Sequence, residues 1–284
     1  MPAVLTLTGR VREWARPVLG APLRRLRREV QWREPRLDFR VAYSPDPLPF
    51  TVAEHATPLV RQLLGLDPEL QRNKVTNLRI AAGTLDGVVL RPGQRLSFWR
   101  EVGRPSYARG FLDGLVLDHG ALSRGVGGGL CQMTNLVYWM TLHTPLDVVE
   151  RWRHSYDVFP DSGRTQPFGS GATCAWPALD LQIENRTGAE YRLTLQVTDT
   201  DLVSRWTSTE PSAVTYEVYE QAHLVTHEGP GVYVRHNRLW RREVAADGRV
   251  VRDLPVTENH ARLMYEPFLP PGEQHAGAER RESW

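Results

Sequence analysis

A glycine run placed directly before a helix constrains this chain more than any other feature. The run Gly125-Val126-Gly127-Gly128-Gly129 precedes Cys131–His143, which has the strongest helical pattern in the chain and is ended by Pro145. Because glycine has no Cβ, the backbone of such a run can approach another group closely. Two interpretations are open: the loop admits a substrate, or it packs the helix tightly against a strand.

The rest of the pattern divides the chain into an early helical part and a later part rich in strands. Helical spacing is found in Val60–Leu66 and Val75–Leu85, and strands and turns follow from Val88. The first turn is Arg91-Pro92-Gly93-Gln94. The segment Ala42–Phe50, which contains three alternating prolines, is predicted to be an extended connector.

Several segments of the later part are predicted to form antiparallel strands. Apolar and polar residues alternate in Leu179–Ile183 and Tyr191–Val197, which we expect to pair across the turn at 185–188. Hairpins are also expected around His119-Gly120 and around Ala246-Asp247-Gly248. The predicted class is α+β: N-terminal helices, then a central helix that carries the glycine loop and Cys131, packed on a mainly antiparallel sheet with C-terminal hairpins.

A basic N-terminal arm precedes a mildly acidic body. The chain has 284 residues, of which 41% are hydrophobic and 24% are charged, as in soluble globular proteins. Residues 1–40 contain ten arginines against four acidic residues, which gives a charge of +6, and the remainder carries −4. We expect residues 1–44 to form a partly helical arm, residues 45–270 the main domain and residues 271–284 a flexible tail.

The arm has two interpretations. Leu23, Leu26 and Val30 fall at helical spacing between arginines, so the arm either binds an anionic membrane surface or packs on its own domain. It has no nucleic-acid-reading motif, so nucleic acid is not expected as a partner. No stretch approaches the roughly 20 apolar residues of a membrane-spanning helix, and the start MPAVLTLTGR lacks the basic region of a secretory signal. We therefore expect a cytoplasmic protein, peripheral to the inner face of the membrane.

An ordered set of short motifs runs through the centre of the chain. In order, it comprises Asn73–Leu78, Arg91–Phe98, Arg109-Gly110-Phe111, the glycine run ending in Cys131-Gln132, Val149–Ser155, Phe159–Arg164 and Pro167–Thr173. This set resembles the VanW family, over residues 45–270. The resemblance implies an association with glycopeptide resistance or the cell envelope, with a cell-wall precursor or another protein of the resistance pathway as the partner. It implies no settled catalytic activity.

Cys131 and His154 are the candidate catalytic pair. A cysteine in the first turn of a helix faces backbone N–H groups and the positive end of the helix dipole, which lower its pKa. A histidine on a predicted strand, 23 positions later, could act as its base, as in thiol hydrolases and acyl transferases. Four residues could orient the imidazole, and the sequence does not choose among them: Asp157, Asp161, Asp180 and Asn185.

A structural role for the same two residues is the competing interpretation, because free cysteine is among the most buried residue types. Metal binding through Cys131, His143, His154 or Cys174 is a third, although the closely spaced ligand pairs of a zinc site are missing. Neither a metal nor a cofactor is expected. Cys174 lies on a β segment without the features of Cys131 and should react more slowly.

Eight residues are predicted to bind the substrate: Gly127, Gly128, Gly129, Gln132, Asn135, Tyr138, Arg109 and Arg151. Asn135 and Tyr138 share the helical face of Cys131, and the arginines suit a carboxylate or phosphate. Core packing and surface solvation are the alternatives for these residues. The predicted function is a cysteine-dependent hydrolase or acyl transferase acting on a cell-wall precursor, and the alternative is a non-catalytic module that binds such a precursor or another resistance protein.

Overall fold

The helices are few and the strands are many. The computed structural model describes residues 20–60, 67–118, 121–158, 166–265 and 267. Within these residues the helices are α1 (Gly20–Trp32), α2 (Pro68–Leu85), α3 (Phe98–Val102) and α4 (Cys131–Thr141), with a 3-10 turn at Tyr107–Arg109. No described helix combines the length and the apolar character that crossing a bilayer requires.

The described strands form four sheets. The largest has the order β1 (Ala42–Tyr43), β3 (Val88–Leu90), β10 (Tyr191–Val197), β11 (Asp201–Ser208) and β2 (Phe50–Pro58). A second has the order β4 (Arg95–Ser97), β9 (Gln182–Glu184) and β7 (Asp147–Glu150), and β5 (Asp113–Asp118) forms a hairpin with β6 (Ala121–Val126). The fourth contains β12 (Val214–Gly229), β13 (Val232–Ala245), β14 (Val250–Leu263) and β8 (Tyr156–Asp157), with β8 parallel to β14. The fold is therefore α+β with mainly antiparallel sheets, as predicted.

The helix predicted at Val75–Leu85 is confirmed, and it begins earlier, at Pro68. The side chain of Asp67 accepts a hydrogen bond from the Glu69 N–H at 2.8 Å, which satisfies one of the free donors of the first turn. Proline at the first helical position loses no hydrogen bond there. The pattern predicted at Val60–Leu66 lies outside the described residues, apart from Val60.

The helix that carries Cys131 packs on the largest sheet. Leu136, Val137 and Met140 of α4 are buried in the same core as the strands. Trp206 of β11 is fully buried, and its indole N–H donates to the hydroxyl of Thr141 at 3.3 Å. The start of α4 is therefore held by a core that extends along the whole helix, which confirms the predicted packing of this helix on an antiparallel sheet.

One predicted strand pair is wrong. The segments around 182 and 191 do not pair with each other, because β9 lies between β4 and β7 whereas β10 lies between β3 and β11. Buried Asn185 separates them: its amide donates to the carbonyl oxygens of Leu90 and Ala189, at 2.9 and 2.7 Å. These hydrogen bonds turn the chain from one sheet to the next instead of closing a hairpin.

The other strand expectations are mostly confirmed. The strands expected on either side of 119–120, β5 and β6, pair antiparallel, and so do β13 and β14 around 246–248, which are much longer than the apolar pattern suggested. The turn at 91–94 is closed by the Gln94 N–H, which donates to the Arg91 carbonyl at 3.0 Å. The predicted connector at Ala42–Phe50 instead contributes β1 and the first residue of β2 to the largest sheet.

Helix α1 packs on the rest of the chain through a buried arginine. The guanidinium of Arg28 donates to both carboxylate oxygens of Glu150, at 2.7 and 2.6 Å, and to the carbonyl oxygens of Pro177 and Ala178. It also lies 3.6 Å from the buried carboxylate of Asp180. Of the two interpretations of the basic arm, packing on its own domain is the one that these contacts support for 20–32. The first nineteen residues lie outside the described part.

Candidate functional site

The glycine run is packed against the chain's own backbone. A Cβ added at Gly128 would lie 2.2 Å from the carbonyl carbon of Gly114, so two backbones touch where β5 passes the loop. The amide of buried Asn77 donates to the Gly128 carbonyl at 2.9 Å and to the Leu112 carbonyl at 3.0 Å, which ties α2 to both segments. These contacts support the interpretation in which the glycines allow close packing.

Two neighbouring glycines are required by backbone conformation as well. Gly127 and Gly129 have φ values of 76° and 91°, which L side chains rarely adopt. A Cβ at Gly129 would also lie 2.2 Å from the side chain of Lys74. The loop therefore places Leu130 and Cys131 at the start of α4 with little freedom of position.

The sulfur of Cys131 faces a small group of polar atoms. It lies 3.3 Å from the Thr173 hydroxyl, 3.7 Å from the Cys174 carbonyl oxygen and 3.9 Å from the Cys174 sulfur. The hydrogen bond with Cys174 lowers the pKa of the Cys131 thiol well below its ordinary value, and a hydrogen bond and the charge of His154 act in the same direction, against the effect of burial. The geometry therefore favours a thiolate at Cys131.

The side chains of α4 hold the segment 169–174 opposite Cys131. The Thr134 hydroxyl donates to the Ala172 carbonyl at 2.6 Å, and the Ala172 N–H donates to the Asn135 side-chain oxygen at 2.8 Å. On its other side the segment pairs with the chain before β8, because the Thr173 N–H donates to the Trp152 carbonyl at 2.8 Å. Thr173 and Cys174 are fixed beside Cys131 by these bonds.

Arg151 supports the same segment from behind. Its guanidinium donates to the Gly171 carbonyl at 2.9 and 2.7 Å and to the Thr257 hydroxyl at 3.0 Å. The guanidinium carbon also lies 4.8 Å from the centre of the ring of Tyr138, which is buried. Burial lowers the pKa of Arg151. Its described contacts are those of a residue that positions the 169–174 segment, rather than those of a residue that binds a ligand.

The other predicted substrate residues divide into two groups. Asn135 lies beside Cys131 and holds the facing segment, whereas Gln132 points toward β2 and donates to the Thr57 hydroxyl and the Pro58 carbonyl, at 3.1 and 2.9 Å. Arg109 ends the 3-10 turn before β5, where it donates to the Arg104 carbonyl at 2.8 Å and stacks over Phe111. The structure thus brings Asn135 to the candidate pair and gives Gln132 and Arg109 contacts elsewhere.

His154 is exposed and lies in a loop, not in a strand as predicted. Because it interacts with Cys131 and also meets solvent, it connects the thiol to bulk water. Among the residues proposed to orient it, Asp157 is paired with Arg235 at 3.3 Å, and Asp180 accepts a hydrogen bond from Ser97 at 2.6 Å. Asn185 forms the turn described above, and Asp161 lies outside the described residues.

Thr173 was not predicted as a site residue, and Cys174 was considered only as a metal ligand. The sequence carried one signal, because the family-like motif that begins at Pro167 ends at Thr173. Burial raises the pKa of Cys174 well above its ordinary value, and so do the hydrogen bond and charge of Cys131. In the described part of the chain, no three or more His, Cys, Asp or Glu side chains are grouped to hold a metal ion.

Comparison with known proteins places this site in a family. The family described as VanW like protein matches residues 73–207, a range that contains Cys131, His154, Thr173 and Cys174. The Vancomycin B-type resistance protein VanW of Enterococcus faecalis is 30% identical over 219 residues, which cover 77% of this chain and 79% of that protein. The chain belongs to the VanW family.

A second relative is more distant. The Uncharacterized protein YoaR of Bacillus subtilis is 28% identical over 115 residues, which cover 40% of this chain and 36% of that relative. No solved structure matches the chain. Because the family match ends at residue 207, strands β12, β13 and β14 lie beyond it, whereas α4 and the residues around the Cys131 sulfur lie within it.

Proposed function

We propose that this VanW-family chain is a thiol-dependent acyl transferase or hydrolase that acts on a cell-wall precursor. The observation that carries the proposal is the position of the Cys131 sulfur at the start of α4, facing the Thr173 hydroxyl at 3.3 Å, with its pKa lowered. A thiolate held beside hydrogen-bond donors is the nucleophile that acyl transfer needs. The name of the Enterococcus faecalis relative, a vancomycin resistance protein, supports a substrate in the cell envelope.

The proposed chemistry uses two side chains. The Cys131 thiolate attacks an acyl carbon of the substrate, and the leaving amine or alcohol takes a proton from His154 as a thioester forms. Water or an acceptor amine then gives a proton to His154 and attacks the thioester, which releases the acyl group and restores the thiolate. The exposure of His154 supports this role, because the leaving group and the incoming water or amine can reach its imidazole.

The experiment incubates the protein with a soluble peptidoglycan-precursor peptide and follows both peptide cleavage and the mass of the intact protein. We expect an acyl adduct on Cys131 in acid-quenched wild type, slower formation and slower breakdown of that adduct in His154→Ala, because the imidazole serves both steps, and no adduct in Cys131→Ala. His223→Ala, which removes an exposed histidine on β12, is the matched control and should behave as wild type. No cleavage and no adduct in any variant would contradict the enzyme.

The alternative function is a non-catalytic module that binds a cell-wall precursor or another resistance protein. The observation that favours it is that Asp180 and Asn185, two of the residues that were expected to orient His154, form buried hydrogen bonds within the chain. Isothermal titration with the same peptide separates the two functions. A binding module binds equally well as wild type and as Cys131→Ala, and it releases no product.

We also propose that α1 attaches the protein to an anionic membrane surface. Its face opposite Arg28 leaves Leu23, Leu26 and Val30 exposed, at 48%, 59% and 59% of their full areas. Arginines stand beside this stripe, among them Arg33, whose side chain is 73% exposed. An apolar stripe bordered by arginine is the pattern of helices that lie in the headgroup region of anionic membranes.

Co-sedimentation with phosphatidylglycerol vesicles tests this attachment. We expect binding at low salt that weakens as salt is added, and a clear loss of binding in Leu26→Glu. Leu224→Glu on β12 is the matched control, because Leu224 is also 59% exposed but lies far along the chain from the arm. An equal loss in both variants would contradict the proposal, as would a Leu26→Glu variant that binds normally. Loss of a dimer in Leu26→Glu would instead assign this face to a second copy of the chain.

A further inference from the structure

The two cysteines of this chain lie side by side although 42 residues separate them in sequence. Their sulfur atoms are 3.9 Å apart, and both thiols are free. We propose that Cys131 and Cys174 form a redox-active dithiol, which exchanges with low-molecular-weight disulfides and closes to an intramolecular disulfide. This inference shares the nucleophilic thiolate of Cys131 with the proposed function, but it is independent of any acyl substrate.

The distance between the sulfurs suits this reaction. A disulfide has an S–S length of about 2 Å, so closing the bond requires the sulfurs to approach by roughly 2 Å. The backbone on both sides is already in place, because α4 carries Cys131 and the hydrogen bonds of Thr134 and Asn135 to Ala172 hold the facing segment. We expect movement of the two side chains to supply the approach, with little change in the backbone.

The exchange proceeds in two balanced steps. The Cys131 thiolate attacks one sulfur of a small disulfide, such as oxidised glutathione, which forms a mixed disulfide and releases one small thiolate that takes a proton from solvent. Cys174 then loses its proton to solvent and attacks the Cys131 sulfur, which releases the second small thiolate. Two protein thiols have become one disulfide, and one small disulfide has become two small thiols.

The two cysteines suit different steps of this sequence. Cys131 interacts with His154 and the Thr173 hydroxyl, so it is the sulfur that carries charge first. Burial, and then the hydrogen bond and charge of Cys131, raise the pKa of Cys174. Once Cys131 is bonded to the small thiol its negative charge is gone, and only burial and the more distant charge of Asp180 continue to oppose ionisation of Cys174. The first step therefore favours ionisation of Cys174, which the second step requires.

The test treats the reduced full-length protein with oxidised glutathione and measures the mass of the intact protein. The chain contains two cysteines, so a disulfide within a monomer can join only Cys131 to Cys174. We expect the wild type to lose two hydrogens and retain no glutathione. Cys174→Ser and Cys174→Ala should each accumulate one glutathione on Cys131, because the second step is removed, and Cys131→Ser should remain largely unmodified.

Two results would overturn the inference. One is a wild-type protein that retains glutathione as a stable adduct as the Cys174 variants do, and the other is a disulfide that links two chains on a non-reducing gel. Thermal melting of every variant identifies any loss of folding. Two substitutions of Cys174 are used so that the test still holds if one of the two variants misfolds. The proposed function is judged separately, because the peptide assay is run under reducing conditions, in which the dithiol is open.

Discussion

Two buried polar clusters use the same stretch of chain, residues 169–180, in different ways. In the first, Arg28 of α1 contacts the carboxylates of Glu150 and Asp180 and two backbone carbonyls near residue 178. In the second, the sulfur of Cys131 is met by the Thr173 hydroxyl and the Cys174 thiol, with exposed His154 nearby. In the first cluster every charge is paired through the Arg28 guanidinium, whereas in the second the reactive sulfur of Cys131 lies near the solvent-exposed His154.

This difference teaches which cluster contributes to stability and which to chemistry. A buried carboxylate that loses its cation is strongly destabilising, because the charge remains without compensation in a medium of low dielectric. A thiol that becomes a hydroxyl or a methyl leaves a much smaller defect. Substitutions in the first cluster should therefore change unfolding, and those in the second should change reactivity while the fold persists.

The largest effect is expected for Arg28→Leu. This change leaves Glu150 and Asp180 without their buried cation, so the free energy of unfolding should fall by about 3–5 kcal/mol. Urea denaturation measures it. Arg27→Leu on the same helix is the control, because Arg27 is exposed and its removal should change stability by no more than about 0.5 kcal/mol. Equal stability of the two variants would show that α1 is not anchored through Arg28.

A smaller loss is expected when the glycine loop is crowded. In Gly128→Ala the new Cβ meets the backbone of Gly114 at 2.2 Å, and overpacking of this kind costs about 1–3 kcal/mol. Gly83→Ala in α2 is the control, since nothing lies within 4 Å of its added Cβ. Alanine in a helix should stabilise it by up to about 1 kcal/mol. If Gly128→Ala unfolds as wild type but no longer reacts, the loop serves the substrate and not the packing.

The pH dependence of stability should sharpen the contrast further. Burial raises the pKa of Asp180 to about 6, although Ser97 and Arg28 act against it. Between its unfolded value near 3.9 and this value, the folded protein binds more protons than the unfolded chain, so stability should fall as pH rises from about 4 to about 6 and then level off. Urea denaturation midpoints measured over roughly pH 4.5 to 7.5, a range that brackets this pKa, should decline less steeply in Asp180→Asn than in the wild type. An unchanged slope in that variant would assign the pH dependence to other groups.

The sequence predicted elements better than their partners. Glycine, proline and periodicity located the helix at Cys131 and the hairpins, because these signals are local. Alternation around 181 and 193 identified strands, but it carried no information about which strand lies beside which, and Asn185 sends the chain to another sheet. Local patterns therefore predicted the class of the fold correctly and one strand pair incorrectly.

The parts that failed depend on contacts between distant residues. The spacing of Leu23, Leu26 and Val30 left open whether the arm packs on its own domain. Helix α1 does pack there, but through Arg28 on the opposite face, which pairs with the carboxylates of Glu150 and Asp180. Cys174 reaches Cys131 through the contacts of Thr134, Asn135 and Arg151 with the intervening loop. No spacing in the sequence predicts that these two cysteines lie side by side.

The most direct test of the account is the pH dependence of alkylation at Cys131. Reduced protein is treated with iodoacetamide over a range of pH, and the modified residue is identified by peptide mass, with Cys131→Ser and Cys174→Ser as controls. Because the hydrogen bond with Cys174, and then His154, lower the pKa of the Cys131 thiol, alkylation should stay fast well below the ordinary thiol value of about 8.5, with Cys174 slower throughout. A Cys131 that is inert in the folded protein, or that titrates as an ordinary thiol, would contradict the account.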